Sequence, residues 1–209
     1  MSANIVDQEI IHYENVRRGR FLEYLTISWN LVEAIGGILA GFVSGSTALV
    51  GFGVDSIIEG ISAATLLWRL RDGEKGEERE QFALKLVGVS FLLLAVYIAV
   101  DAGKSLVEYE PPQTSYLGMA VAVGSLIVMP LIARAKRRVA GNLKSQAMLA
   151  DSRQTDICAY LSAILLVGLA LNALFGWWWA DSVAALTMVP IIAREGVEAL
   201  RGKACNDCH

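Results

Sequence analysis

Acidic residues stand in this sequence where acids are costly: Glu33, Asp55, Glu59, Asp101, Asp151, Asp156 and Asp181 interrupt or border long apolar stretches. A carboxylate at the centre of a bilayer costs about 2.5 to 3.5 kcal/mol on insertion scales, so such residues imply water access, mutual pairing or a bound cation. Asp55 and Glu59 are four apart, which on a helix puts them on one face with about 5 to 6 Å between Cβ atoms. Ionised together in a dry interior they repel, and a divalent cation relieves that repulsion, as protons can in part. Metal and proton then compete for the same oxygens. The competing structural reading is that the acids are hydrogen-bonded within the core by Thr26, Ser28, Asn30, Ser62, Thr155 and Ser162. Convergence of three of them at one depth favours the functional reading.

The elements that must position these acids follow from composition. The chain has 209 residues, 55% hydrophobic and 19% charged, with a mean hydropathy of +0.48. Ala34 to Val54, Pro111 to Ala133 and Ile157 to Ala180 carry no charge at all, and each exceeds the roughly 18 residues that mark a membrane span. Two shorter uncharged runs, Leu86 to Val100 and Ser182 to Ala193, reach that length when one bordering acid is included. Ser44, Gly45 and Ser46 divide the first run between two helices. The sequence therefore predicts an all-α, polytopic membrane protein with six transmembrane helices, near 22-43, 47-68, 82-107, 115-133, 146-175 and 177-199. Strand alternation is absent, which disfavours a β-barrel.

Orientation follows from the basic residues. Arg17, Arg18 and Arg20 precede span 1; Arg69, Arg71, Lys75 and Arg79 lie between spans 2 and 3. Arg134, Lys136, Arg137, Arg138 and Lys144 lie between spans 4 and 5, and Arg194, Arg201 and Lys203 end the chain. Lys104 is alone among the alternate segments, so the positive-inside bias puts both termini in the cytoplasm. The polar first twenty residues do not read as a cleaved signal peptide, and 200-209 reads as a short cytoplasmic tail. The expected location is the inner, cytoplasmic membrane of a cell.

Helix rise then gives depth. Counted from the inner face, Glu33 lies roughly 16 Å deep on span 1 and Asp156 roughly 12 Å on span 5. Counted from the outer face, Asp55 lies roughly 12 Å and Glu59 roughly 18 Å deep on span 2, in a core about 30 Å thick. Asp101 and Asp181 fall near the outer face, and Asp151 near the inner one.

Asn30-Leu-Val-Glu-Ala-Ile-Gly-Gly-Ile-Leu-Ala-Gly-Phe-Val-Ser-Gly-Ser-Thr-Ala-Leu-Val-Gly-Phe-Gly-Val-Asp55-Ser-Ile-Ile-Glu59 resembles spans 1 and 2 of the cation diffusion facilitator, or cation efflux, family. Ala150-Asp151-Ser152-Arg153-Gln154-Thr155-Asp156 and Trp179-Ala180-Asp181-Ser182-Val183-Ala184-Ala185-Leu186 resemble the openings of its spans 5 and 6. The resemblance is to a short member without the family's C-terminal cytoplasmic domain. It implies a homodimer that exports a divalent metal ion, commonly zinc, in exchange for protons by alternating access. It implies a transport site with two acids four apart on span 2, matched by Asp55 and Glu59. The site is completed by a His or Asp four residues before an Asp on span 5, of which the latter is matched by Asp156.

Four residues before Asp156 stands Ser152. The remaining ligand is then Asp151, Glu33, a hydroxyl or water, and these stay open. An oxygen-only site suits manganese, ferrous iron or cobalt as well as zinc. With the family's soluble domain missing, dimerisation would rest on membrane helices, where Gly36, Gly37, Ala40 and Gly41 permit close approach either between subunits or within one. No permanently bound cofactor and no nucleic-acid partner are expected; the lipid bilayer is the surrounding medium.

Cys205-Asn-Asp-Cys208-His209 reads as an inert or metal-catching tail. Cys158, about 200° round its helix from Asp156, is expected to fill packing space. Trp177, Trp178 and Trp179 read as an outer-interface belt. Phosphate-binding loops and nucleophilic triads are not visible, so an enzyme is not expected. The rival readings are a non-transporting membrane subunit that binds a fixed metal, and a proton-coupled exporter of organic cations.

Overall fold

A computed structural model describes residues 2–72, 77–108 and 112–201. These residues form six helices: α1 (Ser2–Ser44), α2 (Thr47–Asp72), α3 (Glu77–Glu108), α4 (Tyr116–Leu143), α5 (Gln146–Phe175) and α6 (Trp179–Leu200). The described residues contain no strand, and the chain is an all-α, multi-pass membrane protein.

Helix α1 begins well ahead of its apolar run, because the polar N-terminal segment continues the same helix. It ends at the Ser44-Gly45-Ser46 turn, where Gly45 takes a φ of 70° that a side chain would disfavour. Ser46 then caps α2 by accepting from Leu49 N–H at 3.1 Å. Ser115 and Ser145 cap α4 and α5 in the same way, accepting from Gly118 N–H at 3.1 Å and Met148 N–H at 3.4 Å. Gly176, with φ 66°, closes α5.

Contacts between helices fix an alternating up-and-down bundle. Gly37 packs on Gly53, and Gly41 on Val50, so α1 and α2 run antiparallel. In α3 and α6, Gly88 meets Gly196 while Ser105 meets Ser182 at 3.3 Å, which pairs the two antiparallel along most of their length. Helix α4 runs antiparallel to α5, with Ser125 against Ser162 at 2.7 Å. It also runs antiparallel to α1, where Gly36 faces Val121 and Gly124 faces Trp29. Phe52, Ile98, Met129, Leu161, Leu165 and Met188 form the apolar centre where these helices meet.

Five helical stretches are long and apolar enough to cross a membrane, drawn from α1 to α5. Helix α6 falls short on composition because Asp181, Arg194 and Glu195 lie within it. It is paired antiparallel along α3 by the Gly88–Gly196 and Ser105–Ser182 contacts. The glycines at 36, 37 and 41 are used for packing inside this one chain.

Candidate functional site

Three carboxylates enter the middle of the bundle from α1 and α2. Glu33, Asp55 and Glu59 are all buried, and Asp55 lies in the electrostatic field of Glu59, Glu33 and Glu195 of α6. Their surroundings differ. Glu33 is well served: Trp29 Nε1 donates to its Oε1 at 2.6 Å, and Ser56 Oγ donates to its Oε2 at 3.0 Å. With its amide turned to satisfy both ends, Asn30 donates to Glu33 Oε2 at 3.1 Å and accepts from Gly60 N–H at 3.3 Å.

Glu59 is the opposite case. It is 1% exposed, and both carboxylate oxygens are buried without a hydrogen-bond partner. Its polar neighbours from α5 are the Thr155 hydroxyl and the Cys158 thiol, while Lys136 and Asp151 act on it electrostatically from further off. Buried polar atoms are nearly always paired, so an orphaned carboxylate in a native core calls for an explanation by function, ion or water.

Helix α5 meets this group along one stripe. Asp151, Thr155, Cys158 and Ser162, at successive steps of four, three and four, are all buried and share one face. Thr155 Oγ1 bonds back to Asp151 O at 3.2 Å, and Ser162 Oγ to Cys158 O at 2.8 Å. Asp156 lies one residue, about 100°, off this stripe. Its side chain is 24% exposed and pairs with Arg137 Nη1 of α4. Asp151 is on the stripe, but its carboxylate accepts from Lys136 Nζ. The structure thus brings together Glu33, Asp55 and Glu59, and binds Asp151 and Asp156 to adjacent basic residues of α4. Among the described residues no three carboxylate, thiol or imidazole groups converge tightly enough to enclose an ion in this conformation.

Glu59 sits level with residues 155 to 158 of α5. What depth does not supply is rotation about the helix axis. Cys158 is packed in the buried apolar core as expected, and its Sγ also donates to Glu33 Oε2 at 3.8 Å. The sequence signal for this orientation is the polar stripe 151, 155, 158 and 162. Glu195 had no such signal, standing among Arg194 and Glu198 near the end of α6.

The outer acids have structural work. Ser46 Oγ donates to Asp181 Oδ1 at 2.5 Å, and Ala48 N–H to Oδ2 at 3.4 Å. Thr47 Oγ1 donates to Asp101 Oδ2 at 2.7 Å. Both acids thereby anchor the positive N-terminal end of α2 to α6 and α3. Trp177 stacks on Trp179 with centroids 5.2 Å apart and packs against Phe175 at 5.5 Å. The tail residues Cys205, Cys208 and His209 lie outside the described residues.

Comparison with known proteins covers nearly the whole bundle. A family model described as the cation efflux transmembrane domain matches residues 24–203. The chain is 24% identical over 192 residues to the manganese efflux system protein MneS of Bacillus subtilis (strain 168), covering 87% of this chain and 66% of that protein. It is 24% identical over 187 residues to transmembrane protein 163 of Xenopus laevis, covering 88% and 66%. It is 27% identical over 182 residues to a cadmium, cobalt and zinc/H(+)-K(+) antiporter of Bacillus velezensis, covering 79% and 54%. The chain spans less than two thirds of the length of each of these relatives.

Proposed function

Because the chain belongs to the cation efflux family, we propose that it carries a divalent metal cation out of the cytoplasm across the inner membrane, in exchange for protons, by alternating access. The observation that carries this reading is the buried carboxylate group of Glu33, Asp55 and Glu59, with both oxygens of Glu59 unpartnered in the middle of the bundle. A cation supplies the missing partner, and protons supply it on the return step. Asp55 and Glu59 are the central ligands. Asp151 and Asp156 join them by exchanging Lys136 and Arg137 for the metal as α5 turns against α4. Among the described residues no closed cage is formed in this conformation, so ligation requires movement between helices. A homodimer formed through the membrane helices is the expected assembly.

The candidate metals are zinc, manganese, iron and cobalt; relatives are named for manganese efflux and for cadmium, cobalt and zinc antiport. Reconstituted vesicles with a metal dye on one side and a pH dye on the other test the proposal. Transport predicts sustained metal flux with opposed proton movement. A signal that saturates near one ion per protein, without proton movement, overturns it in favour of a binding subunit, and flux of bulky organic cations alone overturns the choice of substrate.

A further inference from the structure

A free thiol lies at the acid group. Cys158 is 1% exposed and unpaired with any other cysteine among the described residues. Buried cysteines ordinarily act as small hydrophobic fillers with weak S–H donors. This one instead stands in the field of Glu33, Glu59 and Asp55, with Sγ 3.8 Å from Glu33 Oε2. Cys158 also packs in the apolar core, but a filler does not require its S–H to be directed at a buried carboxylate. An independent observation points the same way: Glu59, on the facing helix, has two buried oxygens without hydrogen-bond partners, and the Cys158 thiol is among its polar neighbours.

We propose that Cys158 is a thiolate ligand of the transported ion, so that the site combines carboxylate oxygens of α2 with one sulfur of α5 and selects borderline-soft divalent cations over hard ones. This rests on the transport reading above and narrows its substrate class. Ligation breaks the S–H bond, its electron pair becomes the metal–sulfur bond, and the proton leaves to water. That step is of one kind with the metal-for-proton exchange at the carboxylates. Thiolate ligands favour zinc, cadmium and cobalt, whereas a purely oxygen site suits manganese and magnesium. The polar stripe of α5 explains how the sulfur comes to be presented: Asp151, Thr155 and Ser162 hold the same face inward.

The test uses the full chain carrying Cys205→Ser and Cys208→Ser, in which Cys158 is the sole thiol. Titration with Co2+ should produce a sulfur-to-cobalt charge-transfer absorption, and adding Cys158→Ser should remove it. In vesicles, Cys158→Ser should lower the ratio of Cd2+ flux to Mn2+ flux by about tenfold or more. Absence of the absorption in the sole-thiol chain, or an unchanged flux ratio, overturns the assignment. Should Cys158→Ser not fold, the absorption in the sole-thiol chain decides alone. The two readings fail separately. Glu59→Gln that moves every metal as the parent does removes the transport site itself, whereas an inactive Glu59→Gln beside an unchanged Cys158→Ser removes only the sulfur.

Discussion

Lys136 Nζ lies 3.0 Å from Glu23 Oε2, joining α4 to α1 by an ion pair in which neither side chain is exposed. The same ammonium also serves Asp151 of α5, so one cation ties together three helices at the end of the bundle where the termini lie. Glu23 Oε1 and Asp151 Oδ1 keep no hydrogen-bond partner, which makes this network dependent on a single positive charge. Removing that charge alone leaves two buried carboxylates uncompensated, at about 3 to 5 kcal/mol. Lys136→Met should therefore lower the melting temperature in detergent sharply. Replacing the three residues together with apolar side chains should recover most of the loss, and a triple variant as unstable as the single one refutes this account.

Lys136 also marks where the sequence stops being legible. It stands among Arg134, Arg137 and Arg138, and a run of basic residues reads as a solvated cytoplasmic loop. The helix instead continues through Leu143 and turns Lys136 inward while Arg134 and Arg138 stay exposed. Element number and class were legible because hydropathy and helix periodicity depend on one helix at a time. Rotation about each helix axis, which separates Cys158 from Asp156 and Lys136 from its neighbours, depends on which helix lies alongside. Spacing along one chain does not encode that directly.

Glu59 should show a trade between stability and transport. Its unpartnered oxygens carry a desolvation cost of about 1 to 3 kcal/mol, more when charged. Glu59→Gln should raise the melting temperature while abolishing metal flux. A variant that is both less stable and still active means that the carboxylate was a structural group.

The α1–α2 contact is set by glycine. A Cβ at Gly53 would lie 2.8 Å from Ile38 N and 2.7 Å from Ile38 Cγ1, and one at Gly41 2.8 Å from Val50 N. Backbone cannot yield as a flexible side chain does, so Gly53→Ala should destabilise by about 1 to 3 kcal/mol. If these glycines served only a contact between subunits, the same change would alter the dimer fraction and leave monomer melting untouched; sedimentation and thermal melting together distinguish the cases.

Apparent metal affinity should fall as the pH is lowered. Carboxylates and thiols bind metal in their deprotonated forms, so each proton added to Glu33, Asp55, Glu59, Glu195 or Cys158 works against the ion. The half-saturating metal concentration in vesicles should rise steadily as the pH falls from about 8 to about 6. An affinity independent of pH there would remove competition between metal and proton as the coupling device.

Asp156 and Arg137 give two variants with opposite expected signs. Their side chains are 24% and 41% exposed, so as a plain ion pair they contribute about 1 kcal/mol or less to folding. If the ion must displace Arg137 to reach Asp156, removing the arginine frees the carboxylate. Arg137→Gln should then tighten metal binding severalfold, by lifting a competing cation, while Asp156→Asn should weaken it. Should the pair be structural only, both variants would behave alike, with slightly lower stability and unaltered affinity. Isothermal titration of the two purified variants reads the sign directly, and matching signs would leave α5 contributing its inward stripe, and not Asp156, to the transported ion.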